Sequence, residues 1–279
     1  MSKHVVVIIG AGGMGEAIAR RIGAGAKLVL ADFNEEILAR LESSLGGDGF
    51  NVLTRKVDAS SRESLAALAD EAASLGSVDA VIHTAGLSPA QAPIKAILAV
   101  DLLGFAFSLE EFGRVIAPGG AGVYIASMAG TMAAGSLPAE VEAALRSTPS
   151  DELLALPMFA EGAVPNAGAA YSLSKRANQL RVQSASLAWG ARGARVNTIS
   201  PGVISTPMGQ QELASESGAG MRAMVDGSGT GRLGTPSDIA AAAAFLVGPD
   251  ATFITGTDLL VDGGTIAAIN SGAVALPRG

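Results

Sequence analysis

The chain of 279 residues has no cysteine and only two histidines. The first absence excludes a disulfide framework, a thiolate nucleophile and a thiolate metal site. The second excludes a His-rich metal centre, so no metal is expected. Positive charge is also scarce, with 19 Lys and Arg against 26 Asp and Glu, a formal net charge of -7 and a sequence pI near 4.9. No basic run is present to neutralise phosphates, which argues against a nucleic-acid or anionic-membrane partner. The longest apolar runs, residues 5–9 and 240–247, fall far below the roughly 18 residues of a membrane span. The first run leads into glycines rather than a cleavage site, so the expected location is the cytoplasm.

What is present is 49% hydrophobic residues and 36 glycines. That content suits one large α/β domain with a sizeable core. Val5, Val6, Val7, Ile8 and Ile9 form a β-branched run suited to a strand covered on both faces. It ends in Gly10-Ala11-Gly12-Gly13-Met14-Gly15. The G-x-G-x-x-G spacing allows a tight turn, close approach of backbone to a pyrophosphate and a helix N-terminus aimed at it. A flexible glycine turn is the bland alternative. The helix that follows carries Ala17, Ile18 and Ile22 on its apolar face.

Residues 27–31 read as a second strand that delivers Asp32 to its C-terminal end. A carboxylate there would accept from the adenosine ribose hydroxyls and repel a 2′-phosphate, favouring NAD. No Arg or Lys lies in the glycine loop or just after Asp32. Asp32 could instead cap the helix that starts near Asn34. Helices over 35–45 and 62–75, strands over 51–57 and 78–83, a long apolar helix over 95–116 and a strand over 122–126 continue the alternation. This order predicts a doubly wound parallel sheet with right-handed crossovers. His83, in the turn His83-Thr84-Ala85-Gly86, reads as a core residue rather than a catalyst. Further on, Tyr171 and Lys175 lie four apart on a helix over 168–189 and so share a face. An ammonium beside a phenol favours the phenolate and would bring Tyr171 toward neutrality as a proton carrier.

Taken jointly, the glycine fingerprint, Asp32, Asp58, the H-T-A-G turn, Ser127 in I-A-S-M-A-G, Y-S-L-S-K at 171–175, V-N-T-I-S-P-G at 196–202 and the late G-R-L-G-T-P-S-D and V-D-G-G resemble the short-chain dehydrogenase/reductase family. The resemblance runs from Val5 to about Gly264. It implies NAD-dependent hydride transfer between a secondary alcohol and a ketone. Tyr171 would be the general acid/base, Lys175 the residue that lowers its pKa and holds the nicotinamide ribose, and Ser127 the partner of the reacting oxygen. The implied cofactor contacts are Gly10, Gly12, Gly13, Met14, Gly15, Asp32, Phe33, Asp58, Ala59, Ala85, Gly86, Tyr171, Lys175, Pro201, Gly202, Val203 and Thr206. A homo-oligomer, specifically a tetramer, is implied too, with the helices that begin near Asp101 and Gly168 paired across a two-fold axis.

Three features depart from the family pattern. The glycine loop is one residue short between its first two key glycines. Asp101 stands where the family has Asn, either holding a water in the proton relay or merely capping its helix. Some thirty extra residues separate Ser127 from Tyr171. Residues 131–167 should therefore form a helical flap, with Val141, Ala144 and Leu145 on one short helix and Leu153, Leu154 and Leu156 on another. Such a flap could meet a bulky apolar substrate such as a steroid or terpenoid through Met158 and Phe159, or pack only on its own domain or a neighbouring subunit. Residues 203–234, with Met208, Met221 and Met224, read as a lid or as core. The expectation is thus one α/β, Rossmann-type domain over 1–279 with about seven strands, helices on both faces and a helical insertion. Two rivals are an NAD-binding regulatory or scaffolding protein without turnover, and a sugar-nucleotide epimerase or dehydratase. The short tail after Gly264 disfavours the latter.

Overall fold

The computed structural model describes residues 4–274 of the chain. It contains seven strands in one parallel sheet of order β3-β2-β1-β4-β5-β6-β7. These are β1 (His4–Ile9), β2 (Lys27–Asp32), β3 (Asn51–Lys56), β4 (Ser77–His83), β5 (Ile116–Ile125), β6 (Arg195–Pro201) and β7 (Asp258–Val261). The chain begins at the centre, moves outward to β3, then crosses back to β4. Order reverses between β1 and β4, and the crevice at their C-terminal ends is where such sheets hold ligands.

Side-chain alternation along β1 builds two cores at once. Val5, Val7 and Ile9 face a cluster completed by Leu65 and Leu68 of α3 (Arg62–Leu75), Phe112 of α5 (Phe105–Val115) and Trp189 of α8 (Ala167–Ala191). Val6 and Ile8 face the other cluster, with Ile18 of α1 (Gly13–Ile22), Leu38 and Leu41 of α2 (Glu35–Gly47) and Ile239 of α11 (Pro236–Val247). Local signals start these helices. Asn34 accepts from the amides of Glu36 and Ile37 to cap α2, and Thr235 with Asp238 forms a capping box on α11.

The single helix expected over 95–116 is in fact three pieces. A short α4 (Ile94–Ile97) passes into a π-helical turn, Leu98–Gly104, before α5 begins. The widened turn is held at its centre, where Asn178 Nδ2 donates to the Asp101 carbonyl at 2.9 Å and Asp101 Oδ2 accepts from Leu87 N at 3.0 Å. Gly104 admits the close approach, since a Cβ there would lie 2.1 Å from the Ala59 carbonyl oxygen. Apolar periodicity cannot distinguish 3.6 from a local 4.4 residues per turn, which is why the break is invisible in sequence.

Between Ser127 and α8 the chain forms α6 (Met128–Ala133), α7 (Ala139–Ser147) and two 3-10 turns, Ser150–Ala155 and Pro157–Phe159. Leu145 and Leu153 are fully buried against Ile97, Leu102, Ala106, Ala177 and Leu180. Part of the apolar surface of α5 and α8 is therefore covered within the same chain. Polar contacts fasten it, with Arg181 donating to the carbonyls of Leu145 and Thr148 and to Ser150 Oγ at 3.2, 2.8 and 2.7 Å. After β6 come α9 (Pro207–Ala214) and α10 (Gly218–Asp226), and after β7 a short α12 (Thr265–Asn270) in place of an irregular tail. Met221 and Met224 pack on Val203, Leu213, Val225 and Ile266, so they are core. The end of the apolar tail, residues 275–279, lies outside the described residues. No helix among those described is long and apolar enough to cross a membrane.

Candidate active site

A cleft of about 560 Å³ opens at the switch point between β1 and β4. Its floor is the glycine loop. Gly10 takes φ +89°, a left-handed conformation that glycine adopts without cost, and a Cβ there would fall 2.4 Å from Ala85 N. Gly15 does not line the cleft but packs beneath the loop, where a Cβ would come within 2.0 Å of the Gly10 carbonyl oxygen. Gly12 is different: a Cβ would meet nothing within 4 Å. That open space, beside the N-terminus of α1, is where a phosphate group can approach backbone N–H groups. Loop and cleft together fit a dinucleotide despite the missing residue.

Asp32 stands at the cleft wall with both carboxylate oxygens engaged. Oδ2 accepts from Ala11 N at 2.7 Å and Oδ1 from Asn34 N at 2.9 Å. The cap of α2 is Asn34, so Asp32 is free of that duty. Phe33, 69% exposed, forms the rim beside it. Lys56 lies 5.8 Å from the Phe33 ring centroid and is paired to Glu35 at 2.7 Å. Asp58, Ala59, Ala85, Gly86 and Thr206 line the same cleft, as do Gly13 and Met14. Thr206 caps α9 by accepting from Gly209 N at 3.1 Å, and its methyl would touch a Cβ added at Gly13, at 3.0 Å. Gly202 and Val203 face a separate cavity of about 210 Å³, and Pro201 is buried at the end of β6.

Ser127, Tyr171, Lys175 and Asp101 converge beside this cleft rather than on its lining, next to Gly86, where a Cβ would lie 2.7 Å from Asp101 Oδ1 and 3.3 Å from Lys175 Nζ. Ser127 caps α6, its Oγ accepting from Ala129 N at 3.1 Å, which leaves its O–H to donate elsewhere. Lys175 Nζ lies 5.3 Å from the Tyr171 ring centroid. It also lies 2.9 Å from Asp101 Oδ1, in an ion pair whose side chains are only 5% and 0% exposed. Oδ1 has no partner in hydrogen-bond geometry, so the contact is a close charge pair rather than a well-aligned bond. His83 is buried behind them, stacked on Tyr124 at 5.4 Å with an interplanar angle of 8°. It is a core residue, but neither of its ring nitrogens has a hydrogen-bond partner.

The electrostatics depart from the expectation for Tyr171. Burial pushes its phenol up, and although Lys175 and Ser127 draw it down, Asp101 and Glu212 push up again, so it ends above its ordinary value. Burial alone would lower Lys175, but Asp101 and then Tyr171 hold it above the ordinary lysine range. Burial lifts Asp101 in turn, against the pull of Lys175 and the Leu87 N–H. His83 is pushed down to about 3, by burial and then by the charge of Lys175. The pull of Lys175 on the phenol is outweighed by burial, and the carboxylate of Asp101 adds to the rise.

Sequence reasoning missed Glu212. On α9 it sits half-buried, pushed up by burial, close enough to act on both Tyr171 and Lys175. The only available signal was its position six residues past Thr206 on the segment that crosses the cleft. Thr84, whose hydroxyl donates to the Gly10 carbonyl and joins the two loops, was likewise unassigned.

Comparison with known proteins agrees with this geometry. The profile described as short chain dehydrogenase matches residues 3–139, and that described as Enoyl-(Acyl carrier protein) reductase matches 140–265. The two meet inside the insertion. A short-chain dehydrogenase/reductase from Alternaria brassicicola, bsc3, is 42% identical over 97% of this chain and 98% of its own length. 3beta-hydroxysteroid dehydrogenase 2 from Eggerthella lenta is 30% identical over 94% of each chain. Among solved structures, the 3-alpha-hydroxysteroid dehydrogenase from Pseudomonas sp. B-0831 complexed with NADH superimposes with a TM-score of 0.77 at 27% identity, covering 96% of this chain and 98% of that one.

Proposed function

Because this chain belongs to the short-chain dehydrogenase/reductase family, and so is an oxidoreductase acting on CH–OH or C=O groups, we propose that it moves hydride between NAD(H) and a bulky apolar secondary alcohol or ketone. The observation that carries this reading is the convergence of Ser127, Tyr171 and Lys175 beside the glycine-loop cleft. The nicotinamide, when bound, supplies the hydride acceptor or donor. The chain's own part is proton handling and placement. Tyr171 exchanges the proton of the reacting oxygen, and Ser127, with its lone pair occupied by Ala129 N, donates to that oxygen. Lys175 supplies the cation that stabilises the phenolate.

Two features support NAD over NADP. Asp32 accepts from Ala11 N, which holds its carboxylate at the glycine loop, where it would oppose a 2′-phosphate. Lys56, opposite Asp32 in the β2–β3 register, is paired with Glu35. An apolar substrate is supported by Leu156, Met158, Phe159 and Val164, which pack in the same cluster as the Tyr171 ring. The hydroxysteroid dehydrogenases among the relatives are named for substrates of that kind. Self-association as a tetramer belongs to the same reading, but its support shifts. Leu145 and Leu153 of the insertion cover part of α5 and α8, while Leu187 of α8, Phe245 and Phe253 remain 80%, 44% and 102% exposed.

The test is oxidation of NADH, followed at 340 nm, against a panel of large apolar ketones, small ketones and polyhydroxylated ketones. Preference for the large apolar ones is the expected result. Preference for the polyhydroxylated ones would point instead to Glu212 as a hydroxyl acceptor. NADH binding without turnover of any member would favour a binding protein.

A further inference from the structure

The Asp101–Lys175 pair is built rather than incidental. The π-helical turn aims the Asp101 carboxylate inward, Leu87 N fixes Oδ2 at 3.0 Å, and Oδ1 lies 2.9 Å from Lys175 Nζ. Asn178 holds the same turn through the Asp101 carbonyl. Gly86 makes room: a Cβ there would lie 2.7 Å from Asp101 Oδ1 and 3.3 Å from Lys175 Nζ. Both charged groups are almost fully out of solvent, where an unscreened carboxylate acts strongly on any neighbouring charge.

We propose that Asp101 is a positioning residue that holds the Lys175 ammonium in a buried ion pair and so screens Tyr171 from its charge. The interpretation of its kinetic effect rests on the reading of Tyr171 as proton carrier; the ion pair itself does not. A phenol beside a free ammonium is favoured as phenolate, whereas one beside a neutralised pair is not. The other groups facing Tyr171 and Lys175 do not replace this control. His83, on β4, stays neutral in its buried site. Ser127, between β5 and α6, is uncharged. Glu212, on α9, adds to the effect of Asp101 in the same direction but more weakly on both residues. The proton carrier is thereby set to work at higher pH than an amide at position 101 would give.

The chain has only two tyrosines, which makes the experiment direct. Tyr124 is fully buried, donates to the Ser108 carbonyl at 3.1 Å and is pushed up by burial. Burial pushes Tyr171 up as well, so the tyrosinate transition near 295 nm that disappears in Tyr171→Phe is the one that reports it. Asp101→Asn should move that transition down by about one pH unit or more, roughly a tenfold change in ionisation. In a Lys175→Met background the same substitution should move it far less, because without the ammonium, burial keeps Asp101 protonated and its replacement removes no charge. A general loosening of the helix would shift both backgrounds alike and would overturn the proposal, as would a transition unmoved by Asp101→Asn. If Asp101→Asn does not fold, Gly86→Ala, which crowds Oδ1 from the other side, should give the same downward shift, and an unmoved transition there counts equally against it. In alcohol oxidation, the pH profile of kcat/KM for Asp101→Asn should move to acid by the same amount. A spectroscopic shift without turnover in the parent protein would leave the ion pair standing and count against the dehydrogenase reading alone.

Discussion

Ala11 N donates to Asp32 Oδ2 at 2.7 Å across 21 residues of sequence, so the acidic end of β2 and the phosphate loop after β1 form one rigid wall. A 2′-phosphate would meet a carboxylate held at the loop. Calorimetric titration should show NADH binding tighter than NADPH by about 2 kcal/mol or more, roughly thirty-fold in Kd. Asp32→Ala should weaken NADH and narrow that gap. Equal affinities for the two cofactors in the parent protein would contradict this.

Two glycines of the same loop should separate binding from folding. Gly15→Ala forces a Cβ onto the Gly10 carbonyl oxygen at 2.0 Å and should lower Tm sharply, by about 2 kcal/mol or more of stability. Gly12→Ala meets no protein atom within 4 Å, so thermal unfolding should be unchanged while affinity for NADH falls at least tenfold. Loss of stability in Gly12→Ala would mean that the open space above the loop has another use.

Much of the scaffold was legible in the sequence because its signals are local. The run from Val5 to Ile9, the glycines, Asp32 at a strand end and the capping residues Asn34 and Thr235 each act within a few residues of themselves. The order of elements then left a parallel doubly wound sheet as the arrangement to expect. What could not be read depends on packing. The π-helical turn around Asp101 arises from Asn178, Leu87 and Ala59, all distant in sequence, and no periodicity reports it. The upward rather than downward shift of Tyr171 follows chiefly from burial of its phenol, to which Asp101, reaching the site across 74 residues, adds. Glu212 enters the site only because α9 folds over it. The apolar excess of α5 and α8 suggested a partner subunit, yet much of it meets Leu145 and Leu153 of the same chain.

Part of the insertion belongs to the core. Leu145 is fully buried between α7 and α8, and Leu145→Ala should destabilise the protein by about 2–5 kcal/mol, seen as a lower urea midpoint. A change below about 0.5 kcal/mol would show that α7 is detached in solution.

Stability should fall in acid through His83. Its ordinary value of 6.5 is pushed down to about 3 in the folded protein. Between those values the unfolded chain binds a proton that the native state refuses, so stability drops as pH falls, by up to about 1.4 kcal/mol per unit. Below about pH 3 both states are protonated and this contribution levels off. His83→Phe should flatten the slope of unfolding free energy between pH 6 and 5 by roughly 1 kcal/mol; an unchanged slope would place the acid sensitivity elsewhere.

The most direct test of the account is Tyr171→Phe, assayed for NADH binding by fluorescence titration and for ketone reduction at 340 nm with a substrate the parent protein turns over. The ring is retained and only the hydroxyl is lost. The account predicts unchanged Tm and NADH affinity with kcat lowered by about 10²- to 10⁴-fold; turnover equal to that of the parent would contradict it.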